Sequence, residues 1–502
     1  MMAAFDGSLR PIRNAVTAPA AVFGIVGFTL VAAAIIVAYL SIAGFAIVIA
    51  LIVVTVAIAA LRWPRAMLVL VVIAPILDRF VIAELMPAAV HGVTQFFSEG
   101  LLLVVGAPIL VQGWRFGRVI PALRHPATIG MAAFLGVAAI SAVVNAVPLS
   151  VGIVGLAYTV DAIVLFYLAR VVGFTHRQAI QSIGAIVVAM LLLAVIGIGQ
   201  GLLDPNLFGL AVVSGRSGEA VRIGSLVRNP NVLGTLIGLV LPLALFGAVR
   251  LSRPRARWAM AGVALLLSVA LLLTYSRGSW LGTVAGSGVV LLLLDRRVFA
   301  FAALTGVVAL GIATFMPRNL VASPSGAGGA PLPPQFNIID TTSDRIGAVG
   351  EGRDLRTMFV LNAVPILRDH PLVGVGPGRY GGAAAYDTRT PVYDRYDTWK
   401  LLTAQRTVDN FWLHILVENG ILGALAFAGA MVAVAAGLVK TALRSRASRY
   451  VVAAGLLAGA ASVVVSNGTT MLLEGNTVAF MFWLLLGIGS LYQPTPNTPE
   501  RA

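Results

Sequence analysis

The chain has no cysteine in its 502 residues, which excludes disulfides and thiolate metal sites. Charge is scarce: Asp, Glu, Lys and Arg make up 11%, where a soluble chain carries about a quarter. Lysine is almost missing, with 2 residues against 33 Arg, and there are 5 His. No set of His and acids stands at convincing ligand spacing, so neither a metal nor a cofactor is expected. An internal repeat is also lacking. So is a small-residue cleavage site after Arg10 and Arg13, and the apolar run that follows them reads as a first span rather than a removable signal. What is present is apolar: 59% hydrophobic residues and a mean hydropathy of +0.95. Runs long enough to span a bilayer recur throughout.

These features predict an all-α polytopic membrane protein with 12–14 transmembrane helices and a large outer loop containing short helices. Fourteen candidate spans cover 20–40, 43–61, 66–80, 93–113, 127–146, 152–171, 178–199, 231–249, 258–275, 278–294, 298–315, 411–438, 450–467 and 476–491. The net charge of +15 does not point to nucleic acid, because the basic residues fall in small groups between apolar runs and not along one face. With the N-terminus in the cytoplasm, inward segments hold 20 of the 35 basic residues and short outward segments only 5. That bias predicts both termini inside. Two outer segments then stand out, 200–230 and 316–408. The longer one opens on a Gly/Pro linker, 323–334, and continues with helical spacing over Arg353–Asp369, which Pro365 is expected to kink or end. The chain divides on this reading into N-terminal spans (1–200), a central region with the outer loop (201–440), and C-terminal spans with a polar tail (441–502).

Polar groups in such a chain are costly and therefore informative. Asp409, Asn410 and Glu418 enter an apolar helix directly after the long loop. They read either as a site or as helix-end chemistry with Asp409 as the N-cap. Arg277 lies between two spans in Thr274-Tyr-Ser-Arg-Gly-Ser-Trp280, where it either snorkels to the interface or meets a phosphate with its planar fork. Arg222 and Arg228 flank the start of a helix at Asn229-Pro230-Asn231, whose exposed N–H groups favour an anion. Asp161 inside the sixth span reads equally as a functional acid or a buried structural hydrogen bond. Glu99 stands near the outer end of the fourth. Glu474 and Asn467 border the last outer loop with no assigned role, and His414 reads as structural. Gly376-Pro-Gly-Arg-Tyr-Gly381 matches a dinucleotide pattern but lacks a βαβ context, so it reads as a tight loop packed on a membrane helix.

Four segments in this order resemble the O-antigen ligase and polymerase family of bacterial membrane glycosyltransferases. They are Arg222-Ile-Gly-Ser-Leu-Val-Arg-Asn-Pro-Asn-Val-Leu-Gly234, Tyr275-Ser-Arg-Gly-Ser-Trp-Leu-Gly282, Asp369-His-Pro-Leu-Val-Gly-Val-Gly-Pro-Gly378 and Asp409–Gly423. The resemblance implies a helical fold with a large periplasmic loop over the active site, in the bacterial cytoplasmic (inner) membrane. It implies metal-independent transfer of a glycan from an undecaprenyl-diphosphate carrier to a sugar hydroxyl on the outer face. Its partners would be that donor, a glycan or glycolipid acceptor and membrane lipid. Arg277 and Arg222 match the family positions that hold the diphosphate, and Arg228 is a further candidate. The family's ligases usually carry His-Asn where this chain has Asp409-Asn410, and His414 stands where Gln is frequent. Asp409 is therefore expected to accept the acceptor's proton, Asn410 to orient the acceptor or the loop, and Glu418 to contact substrate or brace the helix. Ligase and polymerase would differ only in the acceptor. A transporter or flippase of an envelope precursor, served by Asp161 and Glu99, is the alternative from another class, and a non-catalytic member is a third.

Overall fold

The computed structural model describes residues 42–85, 97–203, 207, 222–315, 355–402, 407–445, 447–474 and 476–492. Helices, and no strand, are found among them. The chain forms two compact units, Met1–Pro121 and Ala122–Ala502. In the first, α1 (Ile42–Arg62), α2 (Pro64–Leu85) and α3 (Phe97–Arg115) pack on one another, with Glu99 in the first turn of α3.

The second unit runs α4 (Ala127–Val144), α5 (Leu149–Val160), α6 (Ile163–Val172), α7 (His176–Leu202), α8 (Pro230–Arg250), α9 (Pro254–Leu273), α10 (Arg277–Leu294) and α11 (Arg296–Phe315). The helices of the long loop are α12 (Leu355–Asp369), α13 (Ala383–Asp387) and α14 (Pro391–Arg395). Finally come α15 (Phe411–Arg444), α16 (Ala447–Ser466) and α17 (Asn476–Ser490). Local chemistry sets the helix starts. Thr175 and Gln178 form a reciprocal capping box ahead of α7. Asn229 accepts from Asn231 N and Val232 N, with Pro230 as the first residue of α8.

Helix α8 is apolar all round and 94% buried over its span, as a central bundle helix must be. It packs on α9 and α16, while α15 packs on α4 and α17 on α6. At the end predicted to face inward, Arg250 on α8 pairs with the buried Asp295 that ends α10.

Among the described residues nine helices are long and apolar enough to cross a membrane, or ten with the bent pair α5–α6. Three shorter apolar helices join them, Ala50–Arg62, Pro64–Ile76 and Thr477–Ser490. These thirteen segments fall on the second to fourteenth predicted spans. The first predicted span (20–40), the linker 323–334 and the tail from 493 lie outside the described residues. Two spans expected to be continuous are broken. The 152–171 span bends by 56° between α5 and α6, where the Asp161 carboxylate accepts from Ala162 N at 2.5 Å and competes with the helical bond pattern. The second break, at Gly420 in α15, builds the site described next. Pro365, expected to kink or end its helix, lies inside α12, which continues to Asp369.

Candidate functional site

Four segments that are remote in sequence converge beside the starts of α8, α10 and α15. Arg222 donates from Nε to Thr274 O (2.9 Å) and from a terminal guanidinium nitrogen to Asn231 Oδ1 (2.9 Å). The same Asn231 oxygen accepts from Ser276 Oγ (2.9 Å), the residue before Arg277. Ser276 and Ser279 share a hydroxyl contact of 2.8 Å, and Ser279 meets Thr235 at 3.1 Å. One amide on α8 thus ties the Arg222 segment to the start of α10, where Arg277 sits half-buried. Arg228, in the left-handed conformation, stands immediately before the Asn229 cap.

The turn after α16 joins this group to the start of α15. Gly278 lies directly against Thr469 and Ser466. On its other side the same turn accepts Phe411 N at Asn467 O (2.9 Å) and Thr470 O (3.0 Å), and Asn467 Oδ1 holds Leu473 N. The predicted arginine positions and the Asp409-Asn410 pair therefore flank a single turn, 466–474. Sequence reading gave Asn467 no role because it is a lone polar residue, and the contact it makes is through its carbonyl.

Asn410, and not Asp409, caps α15: its Oδ1 accepts from Leu413 N at 3.0 Å. Both residue types cap helices well, so the sequence did not separate them. Asp409 instead takes a left-handed backbone (φ 48°) that turns its carboxylate outward to Arg356 on α12, with a guanidinium nitrogen 3.2 Å from Oδ2. Thr407 Oγ1 donates to the other oxygen at 3.4 Å. Arg356 was not singled out, because ten basic residues of the long loop carry no orientation signal and so none stood out.

The Gly-rich loop 371–382 packs into the break in α15. At Gly420 (φ 63°, ψ −172°) the helix opens, and loop amides Val375 N and Gly376 N donate to the released carbonyls of Val417 (3.0 Å) and Glu418 (2.9 Å). Beyond the break, Ile421 N and Leu422 N donate to Pro371 O (3.0 Å) and Leu372 O (3.1 Å). A Cβ on Gly420 would stand 2.2 Å from Leu372 O, so only glycine fits. The far side of the loop is held by the α4–α5 turn: Asn145 donates to Gly374 O (2.9 Å), and Arg379 donates to Asn145 O (2.9 Å) and Ala146 O (3.0 Å). Burial lowers the Arg379 pKa.

Beneath the loop lies a buried polar cluster. Glu418 Oε1 accepts from Tyr380 N at 2.9 Å. His414 Nδ1 donates to Tyr380 O at 2.6 Å, and its Nε2 faces Glu418 Oε2 at 3.8 Å. Gly381 N donates to the Tyr393 hydroxyl (2.7 Å), and Val408 N to Gly381 O (3.1 Å). Glu474, from the turn 466–474, lies against Gly382; burial raises its carboxyl pKa, opposed by His414 and the nearby Ala383 amide. Burial likewise pushes the Tyr380 and Tyr393 phenols well above their ordinary value. Glu418 thus turns both its oxygens into the loop and the imidazole, the geometry of a brace. Asp161 sits apart, at the α5–α6 bend, bonded to its own neighbour's amide.

A bundle of apolar helices carrying one polar junction of arginines, an acid and a clamped loop defines a polytopic membrane protein with a single built site among the described residues. Residues 262–428, from within α9 to within α15, match the family model described as O-antigen ligase, and this match supports the O-antigen ligase/polymerase family for the chain. No curated protein matches the chain. The family is glycosyltransferase-like, which supports an enzyme acting on lipid-linked glycans in a bacterial inner membrane.

Proposed function

We propose that the protein transfers a glycan from an undecaprenyl-diphosphate carrier to a sugar hydroxyl on the outer face of the cytoplasmic membrane. The supporting observation is that the Asn231 link and the turn 466–474 bring the Arg222, Arg277 and Asp409 segments to one junction. In the reaction the acceptor O–H gives its proton to the Asp409 carboxylate as oxygen attacks the anomeric carbon. The bond from that carbon to the diphosphate breaks, and the leaving oxygen takes the electron pair. Arg277 and Arg222 neutralise the charge that grows there, an electrostatic role that needs no metal, and Arg228 adds to the field at the α8 start. Asn410 fixes the Asp409 end of α15 as its cap, and Glu418 braces the loop above it.

The test is a deletion strain complemented with wild type, Arg277→Ala, Arg277→Lys or Asp409→Asn, with carrier lipids and surface glycans analysed. Loss of one general base typically costs about 10²–10⁴-fold in rate, so Asp409→Asn is expected to leave carrier-linked glycan accumulated. Arg277→Lys keeps the charge without the fork and is expected to recover only part of the activity lost in Arg277→Ala. Undiminished transfer by Arg277→Ala at normal membrane level would remove the leaving-group role. Accumulated long glycan would mark a ligase, and accumulated single repeat units a polymerase.

A further inference from the structure

Asp409 stands in a backbone conformation that non-glycine residues avoid, which costs on the order of 1–3 kcal/mol and persists only where the flanks are fixed. The two flanks are fixed in different ways. On the C-terminal side, Phe411 N is held by two carbonyls of the turn 466–474. On the N-terminal side Val408 N donates to Gly381 O (3.1 Å), and both residues are buried. What holds Gly381 therefore bears on the position of Asp409, alongside the Arg356 pair and the Thr407 bond at its carboxylate.

Gly381 sits in a short stretch of loop whose backbone groups are taken up by ionisable side chains. Glu418 takes the amide of Tyr380, His414 takes the carbonyl of Tyr380, Tyr393 takes the amide of Gly381, and Glu474 lies against Gly382. His414 and Glu418 are 1% exposed. A simple tight turn could be closed by its own backbone. Burying the Glu418 carboxylate and an imidazole to do it costs desolvation, which only their mutual attraction and hydrogen bonds offset. Among the described residues the His414 Nε2 atom has no hydrogen-bond partner; it lies 3.8 Å from Glu418 Oε2, so the three groups meet electrostatically under the loop.

We propose that His414, Glu418 and Glu474 are positioning residues for glycosyl transfer, acting through the loop 378–383 and the Gly381–Val408 bond to hold Asp409 in its strained, outward-facing geometry. The inference rests on the reading of Asp409 as the proton acceptor. It separates two groups of side chains by the step they serve. The arginines bind the donor, whereas the buried cluster sets the angle of the base and touches neither substrate. A displacement of a reacting group by about 1 Å costs roughly 10²-fold in rate, while donor affinity is unaffected.

The experiment is a double-mutant cycle between Glu418→Gln and Asp409→Asn in full-length protein in nanodiscs. The donor is the carrier-linked glycan extracted from the deletion strain, and the acceptor is membrane extract of the same strain. Glu418→Gln alone is expected to lower kcat about 10–100-fold with KM for donor unchanged. In the Asp409→Asn background it should lower kcat less than about threefold further, because a misplaced base no longer matters. Fully additive losses, or a loss confined to KM, would overturn the positioning role while leaving Asp409 as the base. Full turnover of Asp409→Asn by itself would instead overturn the base reading. Glu474→Gln, on a half-buried residue, carries the same cycle if Glu418→Gln fails to reach the membrane, and the same outcomes decide it.

Discussion

Replacing Gly420 by alanine tests the joint between the loop and α15. A methyl there would lie 2.2 Å from Leu372 O and 2.5 Å from Val373 N. The loop strand must retreat by roughly 1 Å to restore van der Waals contact. That movement breaks the bonds from Ile421 N to Pro371 O and from Leu422 N to Leu372 O, now 3.0 and 3.1 Å. At about 1 kcal/mol each they account for about 2 kcal/mol. Holding a non-glycine residue at φ 63°, ψ −172° adds about 1–3 kcal/mol. The joint should therefore weaken by about 3–5 kcal/mol, which raises its open population by about 10²-fold or more. Limited proteolysis of the detergent-purified protein reads this directly, as faster cleavage within 355–402. Gly429→Ala in the same helix is the control, because nothing lies within 4 Å of its new methyl and alanine favours the helix by about 0.5–1 kcal/mol. Equal cleavage rates for the two variants would refute the account of the break.

Two further substitutions probe the same junction. Asn231→Ala removes the acceptor shared by Arg222 and Ser276, costs about 1–3 kcal/mol for each donor left unsatisfied, and should weaken donor binding; filter binding of labelled carrier-linked glycan checks it. Asn410→Ala should cost about 1 kcal/mol of stability by loss of the α15 cap, with Asn410→Asp near wild type in thermal unfolding in detergent.

Long apolar runs made the spans legible, and the Asn229-Pro230 pair announced the start of α8 in residue types that act locally. The glycine spacing at 374–382 was readable as a tight loop on a helix for the same reason. The break in α15 was not readable: Glu418-Asn-Gly-Ile-Leu-Gly423 is compatible with an unbroken helix, and its opening depends on a strand some fifty residues earlier. The bend at Asp161 was hidden because an acid in a span signals cost without saying how that cost is met. At the site, arginines and Asp409 were visible as expensive charges. The turn 466–474 that joins them works through carbonyls, which every residue has, and so left no trace in composition.

At Gly420 itself the loop 371–376 and α15 are joined by four main-chain bonds, two on each side of the break. Apart from the required glycines, no side chain along 371–376 or 417–422 is read by those four bonds. Substitutions that keep the glycines leave these four bonds intact, whereas the hold of His414, Glu418 and Tyr393 on Tyr380 and Gly381 depends on side-chain identity. Such a part is a socket. It seats the loop against α15 through groups that every residue carries, leaving the side chains around it to serve other contacts.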